Sequence, residues 1–441
     1  MSNTGHGWKN TILAGLANYI DAGSIVAGSA ALALWKEQFA LGDHFVGLIA
    51  AFSANAISAG IGALIGGRLC DLVGRKKIYQ YDMLFYAFGM LWLVFAAQPW
   101  MIVAGFVMVG LAVGADIPAS WSLIAEMAPP DARGKHSGVA QVLWYLGPVV
   151  VLLMSLLLAP LGVLGARIVF AHLAIVALAL TAMRARMLES SLWEKARAGQ
   201  ISGAAGAGAG ASAGADAVTG GAAAAAAGSA TASMKSLFTP QHIKAMVFLV
   251  AMYGLWNLWA GTNGFFFPYI LRTVGSQSQA MSVALQAGGF TVSMLSIGFV
   301  FMRLSDRVNQ KLLFVAAALI QIAGMALLAL FPLTLPVAMV YLFLTQFGGG
   351  FGQQSFFQLW SAELFPTLLR ATAQGMTFAV VRIGLGLWSF FVPVLTSTGF
   401  TTLAWILTGF LAASALVGLI WAPRHEGKSL EQIQRERAAV Q

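Results

Sequence analysis

Twelve apolar segments constrain this chain more than any other feature, because each has the length of about 20 residues that a helix needs to cross ~30 Å of hydrocarbon. They fall at about 11–34, 45–66, 79–97, 100–125, 136–160 and 166–187, then at about 242–270, 279–302, 312–331, 335–361, 371–395 and 400–422. In hydrocarbon every backbone N–H and C=O must be satisfied within the protein, so such segments fold as helices. An all-α integral membrane protein is therefore predicted. The composition agrees: 59% of the 441 residues are hydrophobic and 9% are charged, where soluble domains carry about 25% charged residues.

The spans divide six and six around residues 198–235, a stretch dominated by Ala, Gly and Ser. That composition builds no core and its glycines oppose a stable helix, so it reads as a flexible linker. The expected organisation is a six-helix bundle over 1–197, the linker over 198–235, a second six-helix bundle over 236–422 and a tail over 423–441. Met1 to Asn10 is short and polar, and the apolar run from Thr11 is too long for a signal-peptide core, so no cleaved leader is expected. With the N-terminus inside, 21 of the 25 Lys and Arg fall on the cytoplasmic side, Arg184 at the end of span 6 among them; Lys36, Arg167 and Arg272 fall outside and Arg382 within a span. The positive-inside rule then puts both termini in the cytoplasm, with the chain in a plasma membrane, the inner membrane of a bacterium. The net charge of +9 thus reports topology, and nucleic acid is not an expected partner. A single Cys70 excludes a disulfide framework, the six His form no H-x-x-x-H pair, and no metal or cofactor is expected.

A repeat underlies the two sixes. Ala125-Glu126-x-x-Pro129-x-x-x-Arg133 after span 4 recurs as Ala362-Glu363-x-x-Pro366-x-x-x-Arg370 after span 10, an offset of 237 residues. The turn after span 2, Gly67-x-x-x-Asp71-x-x-Gly74-Arg75-Lys76, has a counterpart after span 8 at Asp306, Arg307 and Lys311. Two motifs at nearly one offset imply two homologous halves related by an axis along the membrane normal. The first turn resembles the signature loop of the major facilitator superfamily, G-x-x-x-D-R-x-G-R-R/K, with Leu72 in place of its first Arg. Glycines let spans 2 and 11 approach, while acids and bases at the helix ends pair in one conformer and separate in the other. Gly67, Asp71, Gly74, Arg75, Lys76, Glu126, Arg133, Asp306, Arg307, Glu363 and Arg370 are accordingly the expected gate.

Within that superfamily the chain is most similar to sugar porters and related metabolite:proton symporters. The similarity rests on Asp21 in span 1, the two A-E-x-x-P-x-x-x-R stretches, Leu188-Glu189-Ser190-Ser191-Leu192-Trp193, Gly261-Thr262-Asn263, and the tail Pro423-x-x-x-Gly427-Lys428-Ser429-Leu430-Glu431. The resemblance implies the twelve-helix, two-bundle fold and secondary transport driven by a proton gradient.

Ionisable groups deep in a span are costly and therefore functional candidates. Asp21 stands where proton-coupled sugar porters carry an acid, and is the expected proton carrier. Asp116, in Gly114-Ala115-Asp116-Ile117-Pro118, is either a second proton site or a partner for Arg382. Arg382 in span 11 departs from the sugar-porter pattern, and a guanidinium in the cavity can pair with a substrate carboxylate bidentately. Gln141, Asn257 and Asn263 match the sugar-binding pattern, and Gln358 and Trp360 occupy the span-10 positions near its Trp. The glycines Gly348-Gly349-Gly350-x-Gly352 read as close-packing or hinge points, since no Lys-Ser/Thr follows them as a phosphate loop requires.

The expected function is proton-coupled uptake of a small polar metabolite, a sugar, polyol or sugar acid, by alternating access, with the anionic form favoured by Arg382 alone. The partners expected are that substrate, protons and the lipid bilayer, with the monomer as the working unit. Uptake of an aromatic or other organic carboxylate, efflux, and a non-transporting receptor are the alternatives. No nucleophile–base set or nucleotide loop points to an enzyme.

Overall fold

The computed structural model describes residues 4–129, 132–184, 189–190, 192–198, 237–423 and 432. The expected linker beyond residue 198, and nearly all of the tail, lie outside the described residues. Among the described residues every regular element is helical, and helix occupies all twelve expected spans.

Span 1 is a single helix, Thr4–Gln38, about 52 Å long at ~1.5 Å per residue. Span 2 is Asp43–Ala51 followed by Ile57–Val73; spans 3 to 6 are Arg75–Val94, Pro99–Met127, Arg133–Leu157 and Val163–Arg184. In the second half, span 7 is Pro240–Gly261 continued through a π-helical turn, Thr262–Phe266, into Phe267–Thr273. Span 8 is Gln279–Ser296 with a second π turn, Ile297–Phe301, before Met302–Leu304. Spans 9 and 10 are Gln310–Leu330 and Leu335–Gly350 continued by Gln353–Glu363; spans 11 and 12 are Arg370–Ser389 continued by Val392–Thr398, and Phe400–Trp421. Eight of these are long and apolar enough to cross a membrane by length and composition. The other four, spans 1, 2, 3 and 11, carry polar groups that the bundle buries: Asn18 and Asp21, Ser58 and Asp71, Asp82, and Thr372, Gln374 and Arg382.

Packing reproduces the sequence repeat. In the first half span 1 packs on spans 5 and 6, span 2 on span 4, and span 3 on spans 4 and 6. The second half repeats this with span 7 on 11 and 12, span 8 on 10, and span 9 on 10 and 12. Between the halves, span 2 packs against span 11 and span 5 against span 8, again an exchange-related pair. Small residues permit these approaches. A Cβ on Gly114 would lie 2.0 Å from the Ala59 carbonyl oxygen of span 2, and one on Gly67 would lie 2.4 Å from that of Ala371 in span 11. The expected hinge in span 10 is a true break at Phe351 and Gly352 between two helices, and Gly350 also packs closely, its would-be Cβ 2.6 Å from the Ser293 carbonyl oxygen.

Candidate functional site

At one end of the molecule the turns after spans 2, 4, 8 and 10 meet, and most of the expected gate residues come together there. Gly74 makes the turn between spans 2 and 3 with φ of 103°, a left-handed conformation open to glycine at little cost. Arg75 follows it, fully buried, 3.1 Å from Asp71 and 3.1 Å from Glu126, and donates to the Thr367 carbonyl at 2.8 Å. Glu126 also pairs with Arg370 at 2.6 Å, while Arg133 pairs with Glu363 at 2.6 Å. The Glu of each motif copy thus meets the Arg of the other copy. Asp71 accepts from the Thr372 N–H and hydroxyl at 2.7 and 2.8 Å. Asp306 accepts from the backbone N–H of Gly134 and Lys135 at 2.8 and 3.1 Å. Burial raises the pKa of the Asp306 carboxyl above its ordinary value, against the pull of those N–H groups and of the nearby Arg133 and Lys135 charges. All of these contacts but the Arg75–Asp71 and Arg75–Glu126 pairs cross between the halves, so the halves meet at this end.

Two expected gate cations differ from expectation. Arg307 is exposed and makes no ion pair among the described residues, because the turn after span 8 leaves it facing solvent. Lys76 joins the cluster through its backbone N–H, which donates to Glu189 at 3.1 Å. Three residues at the gate had been given no role in the sequence. Glu189 caps the start of span 3, also accepting from Arg75 N–H at 3.2 Å; Ser190 donates to Glu126; and the Trp193 indole donates to the Asp71 carbonyl at 3.1 Å, its ring 5.7 Å from the Arg75 guanidinium. The Leu188–Trp193 stretch was the signal for them.

Midway along the bundle a partly open cavity lies between the halves. Asn257, Asn263 and Arg382 line it, as expected, together with Gln346, Gln354 and the indoles of Trp144, Trp256 and Trp259. Breaks in regular helix create much of this wall: Ser53 and Asn55 come from the gap in span 2, and Asn263 from the π turn of span 7, a feature often found at functional sites. Arg382 donates to Asn257 Oδ1 at 3.0 Å and to the Tyr253 hydroxyl at 3.3 Å, and Tyr253 donates to Gln354 at 2.6 Å. Its guanidinium carbon lies 4.4 Å from the Phe378 ring centroid, a cation–π contact. No carboxylate stands within ion-pair distance of Arg382 among the described residues.

Three expected substrate residues lie away from the cavity. Gln141 donates to Gln358 across the halves, and Ser122 donates to Gln374 at 2.7 Å; these pairs form a polar floor between cavity and gate. Trp360 is buried in the second half against Phe356, its indole donating to Gln310 at 2.8 Å, because its helix face turns it away from span 11.

Deep in its spans the first half buries three acids, Asp21, Asp82 and Asp116. Asp21 is 2% exposed, its neighbour Ala22 lines the cavity, and neither of its carboxyl oxygens has a hydrogen-bond partner among the described residues. Asp116 does not pair with Arg382. Arg184 holds it instead at 2.8 Å, with Asp82 of span 3 at 3.7 Å from the same guanidinium nitrogen. Arg184, counted above among loop cations, is wholly buried, and Asp82 is an intramembrane acid that the sequence reading passed over.

Two pseudo-symmetric six-helix bundles around a midplane polar cavity, closed at one end by reciprocal ion pairs, define a membrane transporter of the major facilitator fold. A family model described as "Sugar (and other) transporter" matches residues 8–436, and the chain belongs to that family; it is a transporter, not an enzyme. It is 45% identical over 429 residues to the minor myo-inositol transporter IolF of Bacillus subtilis, an alignment covering 97% of this chain and 93% of that protein. The glucose transporter GlcP of Staphylococcus epidermidis is 24% identical, with 96% and 95% covered. Among solved structures, the proton:xylose symporter XylE bound to 6-bromo-6-deoxy-D-glucose superposes with a TM-score of 0.80 at 17% identity, covering 98% of this chain and 99% of that one.

Proposed function

We propose that this protein takes up a small neutral polyol of the cyclitol type, such as myo-inositol, together with protons, by alternating access across a bacterial inner membrane. The gate end is the cytoplasmic end, both termini lie there, and the monomer is the working unit. The observation that carries the reading is the cavity wall. Asn257, Asn263, Gln346 and Gln354 combine amide donors and acceptors, matching a ring of hydroxyls that each donate and accept, and three indoles supply apolar planes for its C–H faces. The likeness to a protein named as a myo-inositol transporter supports this substrate class. The charge of Arg382 alone favoured an anion; its engagement by Asn257 and Tyr253 now favours a neutral ligand, with the guanidinium organising the amides.

A sugar acid is the second reading, favoured by the absence of a carboxylate partner for Arg382. Proteoliposomes assayed with labelled myo-inositol under an imposed pH gradient, with glucose, xylose and glucuronate as competitors, test both. Accumulation that collapses with the gradient and is competed poorly by glucuronate is the expected result. Strong competition by glucuronate favours the second reading, and no accumulation of any of these compounds refutes both.

A further inference from the structure

Apart from Asp71 and Glu126 at the closed end, the first half buries three carboxyl groups, Asp21, Asp82 and Asp116. Arg184 donates to Asp116 and lies near Asp82 through one nitrogen, so two carboxyl groups share a single positive charge in a region where all three side chains are buried. Each retains an oxygen, Asp82 Oδ2 and Asp116 Oδ2, with no hydrogen-bond partner among the described residues. Two carboxylates against one guanidinium leave an uncompensated negative charge, and an isolated buried charge is driven to neutralise. One shared proton removes it. Asp21 of span 1 faces this cluster, and beside Asp21 stand Arg382 of span 11 and Tyr86 of span 3, whose hydroxyl donates to the Ile20 carbonyl at 2.7 Å.

The cluster is placed to receive a proton. Arg184 also reaches the carbonyls of Leu13 and Ala14 at 3.5 Å each, about two turns along span 1 from Asp21 on the gate side. Asp82 lies seven residues into span 3 from Arg75 of the gate. Asp21 is unpartnered, buried, and has Asp116 as its foremost charged neighbour. The order from cavity to gate is therefore Asp21, then the Asp82–Asp116–Arg184 cluster, then the cytoplasmic ring.

We infer that Asp82 and Asp116 form a second protonation site, held by Arg184, that takes the proton leaving Asp21 and passes it toward the cytoplasm. This rests on the proton-coupled reading above. In the transfer the Asp21 carboxyl becomes a carboxylate and the shared site gains the proton; release to cytoplasmic water restores the site's negative charge for the next cycle.

The test uses the full-length protein in proteoliposomes with labelled myo-inositol. Asp82→Asn and Asp116→Asn should each reduce accumulation driven by a pH gradient roughly tenfold or more, the scale of losing a positioned proton-transfer group, while exchange at equal pH stays measurable. Both should flatten the dependence of transport on luminal pH, and Asp82→Glu should restore part of it, which a merely structural role would not produce. Wild-type accumulation with an unchanged pH profile in both Asn variants overturns this site and leaves the proton-coupled reading standing. A wild-type protein with no gradient-driven uptake removes that reading, and this site with it.

Discussion

Glu126 is the acid on which the two halves most depend at the gate. Its carboxylate pairs with Arg75 at 3.1 Å within its own half and with Arg370 at 2.6 Å across the interface. Arg75 has a second acid, Asp71, but among the described residues Arg370 has no other carboxylate partner. Both guanidinium groups are fully buried in the closed gate. Glu126→Gln keeps shape and an acceptor but leaves Arg370 buried without countercharge, a change that costs about 3–5 kcal/mol when a buried pair loses one partner. In the open conformer water reaches Arg370 and removes most of that cost. The substitution therefore acts on the equilibrium between conformers, and at ~3 kcal/mol it should raise the population open at this end roughly 10²-fold relative to closed.

The protein contains its own reporter. Cys70, its single cysteine, is buried beside the gate in a cluster with Ala119, Leu123 and Ala371 of the opposite half, and its carbonyl accepts from Arg75 at 3.3 Å. Maleimide alkylation of Cys70 from the cytoplasmic side should accelerate in Glu126→Gln by up to the same roughly 10²-fold factor, and Glu363→Gln should act with the same sign through Arg133. Wild-type labelling rates in a Glu126→Gln protein that melts at the wild-type temperature would refute the latch argument.

Further outcomes follow from the cavity, the carrier and the close helix contact. Asp21→Asn should abolish accumulation driven by a pH gradient while leaving equilibrium exchange measurable; unchanged accumulation would exclude Asp21 as the carrier. Arg382→Lys should bind myo-inositol nearly normally by calorimetry, whereas a carboxylate substrate would lose ~2–5 kcal/mol of binding in Arg382→Ala; near-native carboxylate affinity in the Ala variant would exclude the anionic reading. Gly67→Val would set side-chain atoms against the Ala371 carbonyl, where a Cβ alone stands 2.4 Å away, so spans 2 and 11 cannot close and Cys70 labelling should rise. A Gly67→Val protein with wild-type labelling would show that this approach is not what closes the gate.

Helix positions were legible because the bilayer imposes length and apolarity on most spans, and the ion-pair ring at one end was legible because its motif occurs twice at one spacing. What the repeat could not tell was which partners meet. Glu126 and Arg370 are 244 residues apart, and only the packing of the halves shows that each Glu takes the other copy's Arg. Arg184 and Asp82 were misjudged for a different reason. Arg184 sits at a span end beside Arg186, so charge statistics assigned it to the aqueous side, whereas Asp82, just inside span 3 after Lys76 and Lys77, was given no role. Burial by neighbouring helices is not written into either local sequence. Trp360 was misplaced because it stands two residues beyond Gln358 on the helix, a rotation of about 200°, which turns it into the core of the second half.

The repeat also explains why the two halves bear different chemistry on one scaffold. The offset of 237 residues between the motif copies carries Asp116 onto Gln353, and an offset of 236 carries Asp21 onto Asn257. Span 9 stands where span 3 stands in the first half, and there Gln321 donates to Gln353 at 2.7 Å, both buried without charge. The acid cluster Asp82–Asp116 thus has a neutral amide pair as its counterpart, and the unpartnered Asp21 has an amide that faces the ligand cavity. Neutral amides recognise hydroxyls at any pH, whereas carboxylates in the same positions change charge when a proton arrives. On the proton-coupled function proposed above, placing the first set in one half and the second in the other would let ligand and proton bias the same rocking motion from opposite sides of one cavity, without either site competing for the other's groups.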